Sequence, residues 1–305
     1  MTTESAQPRP IRSGPIRSDP DTTVEPVRVA VLGLGVMGGS LVRALAGNPA
    51  YELAGWSPVA DERRKTLEAG LLRSASSERR DAVEAADIVV LATPLRTVCE
   101  LMAEIARTAP PEATVTDVAS LKVPVRNEAK RVGVYERWVG AHPMAGSEKS
   151  GFDASSAELY CGARVWIADK GNSEPSTERI EQVEALWRAA GGVPVRTDAT
   201  AHDELMAVAS HLPQLASNAL AATLRLMDVA PRDLGPGGKG MVRLAASAPG
   251  MWRDIFDEAP EQLAEGLDLL SRRLGSVAEL ARERNGAELA RLMESTRGWV
   301  EEGGR

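Results

Sequence analysis

Residues 27–41 read VRVAVLGLGVMGGSL. A valine-rich run stops at a glycine, and Gly33, Gly35 and Gly38 follow in G-x-G-x-x-G spacing before apolar residues resume. The spacing alone is weak. Placed after a predicted strand and at the opening of a predicted helix, it becomes a dinucleotide-binding fingerprint. Gly33 allows a tight turn, Gly35 lets a pyrophosphate approach the backbone, and Gly38 lets the helix pack against the strand. The helix N-terminus then offers unpaired N–H groups and a positive dipole end to the phosphates.

Working outward, strand-like runs alternate with helix-like ones. YELAGWS, DIVVLATP, ATVTDVAS and RWVGAHP read as strands, separated by GGSLVRALAG, DERRKTLEAG, RTVCELMAEIARTA and KVPVRNEAKRVG, which read as helices. That alternation predicts βαβ units and a parallel sheet, which ARVWIAD and GVPVRT extend. From residue 199 onward the spacing is helical throughout. The expected organisation is a tail over 1–25, an α/β Rossmann-type dinucleotide-binding domain over 26–198, and an all-α domain over 199–305. The tail is rich in Pro, Ser, Thr and Arg and buries too little surface to offset the entropy of ordering.

Composition narrows the function. The chain has 305 residues, a formal net charge of −7 and 26% charged residues, which argues against a general nucleic-acid binder. An anionic ligand would need a local cationic pocket against that mean field. Two cysteines, Cys99 and Cys161, lie outside any disulfide or C-x-x-C pattern, as expected of reduced thiols in the cytoplasm. No apolar run has the length of a membrane span and no signal peptide is recognised. No His, Cys or carboxylate cluster has metal spacing, so no metal is expected.

The second strand ends in AGWSPVADERR. Ser57 stands where an NAD enzyme carries the carboxylate that grips the ribose, and Arg63 and Arg64 follow. Those arginines either pair with a 2′-phosphate or line a solvated helix face, so NAD and NADP both remain open. The residues expected around the cofactor are Gly33, Gly35, Val36, Met37, Gly38, Ser57 and Thr93.

Histidines number three, and one, His142, lies in GAHPMAGSEKSG (140–151), a loop of small residues after a predicted strand. Such strand ends are where open α/β sheets bind ligands. A neutral imidazole there can take a hydroxyl proton, a contribution of about 10²–10⁴-fold in rate. Taken in order, GLGVMGGS, LATPL, TDVASLK, GAHPMAGSEKSG, SHLPQ and RLAASAPGMWRDI resemble the prephenate and arogenate dehydrogenase family of tyrosine biosynthesis.

The resemblance implies a Rossmann domain, a helical domain that forms a homodimer, and oxidative decarboxylation of prephenate to 4-hydroxyphenylpyruvate with NAD or NADP. Arogenate or an amino-substituted prephenate are the alternative substrates. It also implies His142 as the catalytic base, Ser120 as the serine that orients the histidine and substrate hydroxyl, and His211 and Arg243 as substrate-binding residues. Ser120 would equally serve as a helix N-cap. Lys122 has a weaker claim, and Glu148 and Lys149 fit either pocket gating or solvent exposure. Pro213 is expected to kink its helix. Gln214 replaces the family's second histidine, and GGKGM replaces the usual residues before Arg243, which leaves Lys239 without a defined role. His202 is read first as a helix-start residue and second as a residue near the cofactor. A lysine-based β-hydroxyacid dehydrogenase and a non-catalytic dinucleotide sensor are the competing readings; the loop of His142 speaks against the first, and His142, Ser120, His211 and Arg243 together speak against the second.

Overall fold

Eight strands form one sheet in the order β3-β2-β1-β4-β5-β6-β7-β8. The computed structural model describes residues 25–146, 149–170 and 177–303. Nearly all of the expected tail, and Glu148, lie outside the described residues. In chain order the first elements are β1 (Val27–Leu32), α1 (Val36–Leu45), β2 (Tyr51–Trp56), α2 (Ala60–Glu68), β3 (Ser74–Ser76), α3 (Arg79–Val83), β4 (Ile88–Leu91) and α4 (Leu95–Thr108). They continue with β5 (Thr114–Asp117), α5 (Val123–Arg131), β6 (Trp138–Pro143), β7 (Arg164–Lys170), α6 (Thr177–Ala189), β8 (Val193–Asp198) and α7 (Ala199–Met206). The C-terminal part holds α8 (Leu212–Leu226), α9 (Pro236–Val242), α10 (Pro249–Asp257), α11 (Gln262–Arg282) and α12 (Gly286–Gly303).

The valine-rich runs become strands because both faces of the sheet are covered. Along β1, Val27, Val29 and Val31 enter one core with Leu41, Leu45 and Trp187. Ala30 and Leu32 enter the other, with Val98, Met102 and Val125. That period of two is the strand's own alternation. β1 lies between β2 and β4, so the winding reverses beside it, which is where such sheets bind nucleotides.

Three features depart from the sequence reading. First, β3 and α3 fall in a stretch that shows no periodicity, because β3 is a three-residue polar edge strand, Ser-Ala-Ser. Second, β7 joins the expected sheet but runs antiparallel to β6, with His142 opposite Trp166. Third, the compact units do not follow a single cut at 199. The first compact unit comprises the chain up to Met206 together with Ala246–Ala259, and the second comprises Ala207–Ala245 and Pro260–Arg305. α7 stays with the first unit because it buries Ala199, His202, Asp203 and Met206. α10 returns to it because Ile255 is buried in the core beneath α4 and α5, with Trp252 and Phe256 packed against the same cluster.

The second unit is all-helical. It opens with a π-helical turn over Ala207–His211, and Pro213 lies in the first turn of α8. A proline ring clashes with the carbonyl four residues back, here Ala209. The expected kink therefore takes the form of a widened turn around that carbonyl.

Candidate active site

The first unit holds Gly33, Gly35, Val36, Met37, Gly38, Ser57, Thr93, Ser120 and His142, whereas His211 and Arg243 belong to the second. Within the first unit these residues gather at the carboxyl edge of the parallel strands. Ser120 lies three residues past β5, and His142 is the fifth residue of the adjacent β6.

His142 heads a chain of hydrogen bonds. Its Nδ1 is 2.9 Å from Nε2 of His202, and the two rings meet edge to face at 5.1 Å. Nδ1 of His202 is 2.7 Å from Oδ1 of Asp203. The same carboxylate accepts the backbone N–H of Lys122 through Oδ1 and that of Val123 through Oδ2, each at 2.8 Å. These bonds fix the tautomers. The Asp203 carboxylate accepts, so His202 donates from Nδ1, and in a neutral ring its Nε2 is then an acceptor. His142 then donates from Nδ1, which makes its Nε2 the basic nitrogen. His202 and Asp203 are 1% and 3% exposed, so the pair is held away from competing water.

These contacts revise two expectations. His202 does lie near the start of α7, but its ring faces His142 across sixty residues of sequence. Ser120 is not the cap of α5. The helix begins at Val123, and the amides at its start are taken by Asp203.

Lys122 is buried completely. Its ammonium donates to the Asp117 carboxylate and, at 2.6 Å, to the carbonyl of Ala141. Asp117 also accepts the indole N–H of Trp138 at 3.0 Å and the amide of Ala119 at 3.0 Å. The lysine therefore braces the strand next to His142 and is spent on structure. Among the described residues, no group of three or more His, Cys, Asp or Glu side chains is placed to hold a metal.

Two family models cover the chain: prephenate dehydrogenase, nucleotide-binding domain, over residues 47–196, and prephenate dehydrogenase, dimerization domain, over 198–295. A prephenate dehydrogenase of Bacillus subtilis is 26% identical over 277 residues, covering 88% of this chain and 74% of the relative. A cyclohexadienyl dehydrogenase of Zymomonas mobilis is 28% identical over 248 residues, covering 79% and 83%. The crystal structure of prephenate dehydrogenase from A. aeolicus, in complex with hydroxyphenyl propionate and NAD+, superposes with a TM-score of 0.81 at 29% identity, covering 92% of this chain and 99% of that one.

The chain belongs to the prephenate dehydrogenase family. It is an NAD(P)-dependent dehydrogenase, and the glycine turn fits that cofactor on its own geometry. Gly33 has a φ of 105°, and a Cβ there would meet the carbonyl oxygen of Ala92 at 2.5 Å. A Cβ on Gly38 would lie 1.8 Å from the carbonyl oxygen of Gly33. Those two glycines are required by the fold. Gly35 is not: its φ is −70°, and the nearest protein atom to a Cβ there is Oε1 of Glu62 at 3.8 Å. The space above Gly35 is the cradle a pyrophosphate needs. Beside this turn, the hydroxyl of Thr93 is buried without a hydrogen-bond partner, a group that a ligand would satisfy. Val36 and Met37 open α1 with the unpaired amides of a helix N-terminus. The carbonyl of Met37 is held by the Tyr160 hydroxyl at 2.7 Å.

Ser57 is 1% exposed. Its hydroxyl donates to Oε2 of Glu62 at 2.5 Å and accepts the amide of Val59 at 3.1 Å. Arg64 is tied to Asp61 and Glu68 at the surface. Arg63 donates to the Ser57 carbonyl at 2.6 Å.

In the second unit, His211 closes the π-turn and is 1% exposed. Arg243 follows α9 on a segment that α8 grips at three points. The side-chain amide of Gln214 donates to the Leu244 carbonyl at 2.7 Å. The Ser217 hydroxyl donates to the Met241 carbonyl at 2.9 Å and accepts the Ala245 amide at 3.2 Å. Gln214 thus holds the backbone beside Arg243.

Proposed function

We propose that the chain oxidatively decarboxylates prephenate to 4-hydroxyphenylpyruvate, with His142 as the base. The observation that carries this reading is the Asp203–His202–His142 chain, which orients Nε2 of His142 as a proton acceptor at the cofactor edge of the sheet. The bound nicotinamide supplies the hydride acceptor. His142 takes the proton of the C4 hydroxyl as hydride leaves the same carbon. The imidazolium that forms is stabilised through His202 by the Asp203 carboxylate, as in other oriented histidine bases. Loss of CO₂ from C1 then aromatises the ring and leaves a phenolate, to which His142 returns its proton. No net proton is lost, and no group beyond the nicotinamide is needed for the electrons.

Ser120 orients the hydroxyl from the adjacent strand end, and Arg243 and His211 hold the anionic end of the substrate. A guanidinium suits this role because its planar fork pairs with carboxylate in two parallel bonds. The chain assembles as a homodimer through the helical unit. That inference is supported by the dimerization-domain model over 198–295 and by Leu226, Met227, Met293 and Trp299, which are between 69% and 83% exposed. The cytoplasm is the matching compartment, supported by two cysteines that are both free.

The test is a matrix of prephenate and arogenate against NAD+ and NADP+, followed by nicotinamide absorbance and product chromatography. Formation of 4-hydroxyphenylpyruvate is expected. Turnover of arogenate alone would move the assignment to that substrate, and reduction with neither would overturn it.

A further inference from the structure

We infer that Glu62, from the first turn of α2, replaces the carboxylate missing at the end of β2 and makes the enzyme selective for NAD+ over NADP+. In a Rossmann domain the adenosine ribose lies over the end of the second strand, beside the glycine turn. The structure brings a carboxylate to that place from the following helix. Oε2 of Glu62 is held by the Ser57 hydroxyl at 2.5 Å. The serine can orient it because its single proton is donated there while its oxygen accepts Val59 N–H. The other oxygen, Oε1, faces the cradle over Gly35 at 3.8 Å from a Cβ position. It is therefore placed to accept from ribose hydroxyls and to repel a 2′-phosphate.

The cations nearby do not cancel this. Arg64 is paired with Asp61 and Glu68, and Lys65 with Asp61 and Asp153. Arg63 is the competing group. Its guanidinium is anchored on the Ser57 carbonyl and retains a charge that a 2′-phosphate could use. The sequence leaves Arg63 and Arg64 as either phosphate partners or solvated-face residues, whereas in the folded chain an acid is held at Ser57 and Arg64 is paired at the surface.

Calorimetric titration of the purified protein with NAD+ and with NADP+ tests this without substrate or turnover, so the result is independent of which cyclohexadienol is oxidised. NAD+ should bind roughly 10–100-fold more tightly, the range expected for one carboxylate facing a phosphate at a partly hydrated surface. Glu62→Gln keeps an acceptor for Ser57 and so keeps the local fold, which a melting curve checks. It should raise NADP+ affinity by about tenfold or more and change NAD+ affinity much less. Arg63→Ala should then weaken NADP+ binding in the Glu62→Gln background. Equal or tighter binding of NADP+ by the wild type would overturn the inference, as would an unchanged ratio in Glu62→Gln.

Discussion

His142→Asn removes the base while keeping the size of the side chain. It is expected to cut kcat by about 10²–10⁴-fold and to leave nucleotide binding unchanged. Turnover that stays near wild type across the pH range would remove His142 from the mechanism. Asp203→Asn probes the other end of the chain. An amide can present N–H to His202 and so favour the wrong tautomer at His142, and kcat should fall by at least about tenfold. Asp203 also accepts the two amides that start α5, so the variant should lose about 1 kcal/mol of stability as a weakened cap. A lowered melting temperature with unchanged kcat would reduce Asp203 to a cap alone. At this scale the sequence marks His142 through the GAHPMAGSEKSG motif, read as a loop although His142 itself lies within β6. It does not mark His202, because the contact that matters spans sixty residues and leaves no local spacing. The one trace is an adjacent His-Asp pair in a chain with three histidines.

At the level of elements, the three glycines of the β1–α1 turn divide by cause. Gly38→Ala places a methyl 1.8 Å from the Gly33 carbonyl oxygen and should lower the melting temperature together with cofactor affinity. Gly35→Ala meets nothing closer than 3.8 Å. It should preserve stability and weaken nucleotide binding, read by calorimetry beside a melting curve. Equal loss of stability in both would mean that Gly35 is structural. The α8 grip makes a second contrast. Arg243→Ala should raise the substrate KM by an amount equivalent to about 2–5 kcal/mol, with little change in cofactor KM. Gln214→Ala should raise it in the same sense but less, because it loosens the Leu244 carbonyl and keeps the guanidinium. If Arg243→Ala lowers the melting temperature and leaves KM alone, the arginine braces the helices instead. The strand and helix alternation is legible because each buried face has its own period. The β3–α3 segment is not, since a polar edge strand buries too little to show one. Gln214 is legible as a departure from the family's pattern. Its work on Leu244 is not, because a backbone carbonyl thirty residues on has no sequence signature.

Across the whole molecule, the sequence separates an α/β part from a helical part, and both are present. It does not tell which unit α7 and α10 join, because periodicity reports what kind of element a segment forms and not what that element packs against. Helical spacing in α7 and α10 looks the same whichever unit they join. The return of Ala246–Ala259 to the first unit has a measurable consequence. A protein ending at Met206 would lack Ile255, Trp252 and Phe256, which pack on the core beneath α4 and α5. It should bind hydrophobic dye and melt at a lower temperature than the full chain. An untroubled fragment would show that α10 is dispensable to that core. The same excursion bears on synthesis. Domains ordinarily fold as they emerge, N-terminal first, at about 5–20 residues per second. Here the nucleotide half cannot close when its own strands are finished. It must wait roughly 3–10 s more, while α8 and α9 are made, for a helix encoded beyond them. For that interval the nascent chain carries an uncovered apolar patch, and a chaperone that recognises such patches has a defined window in which to act.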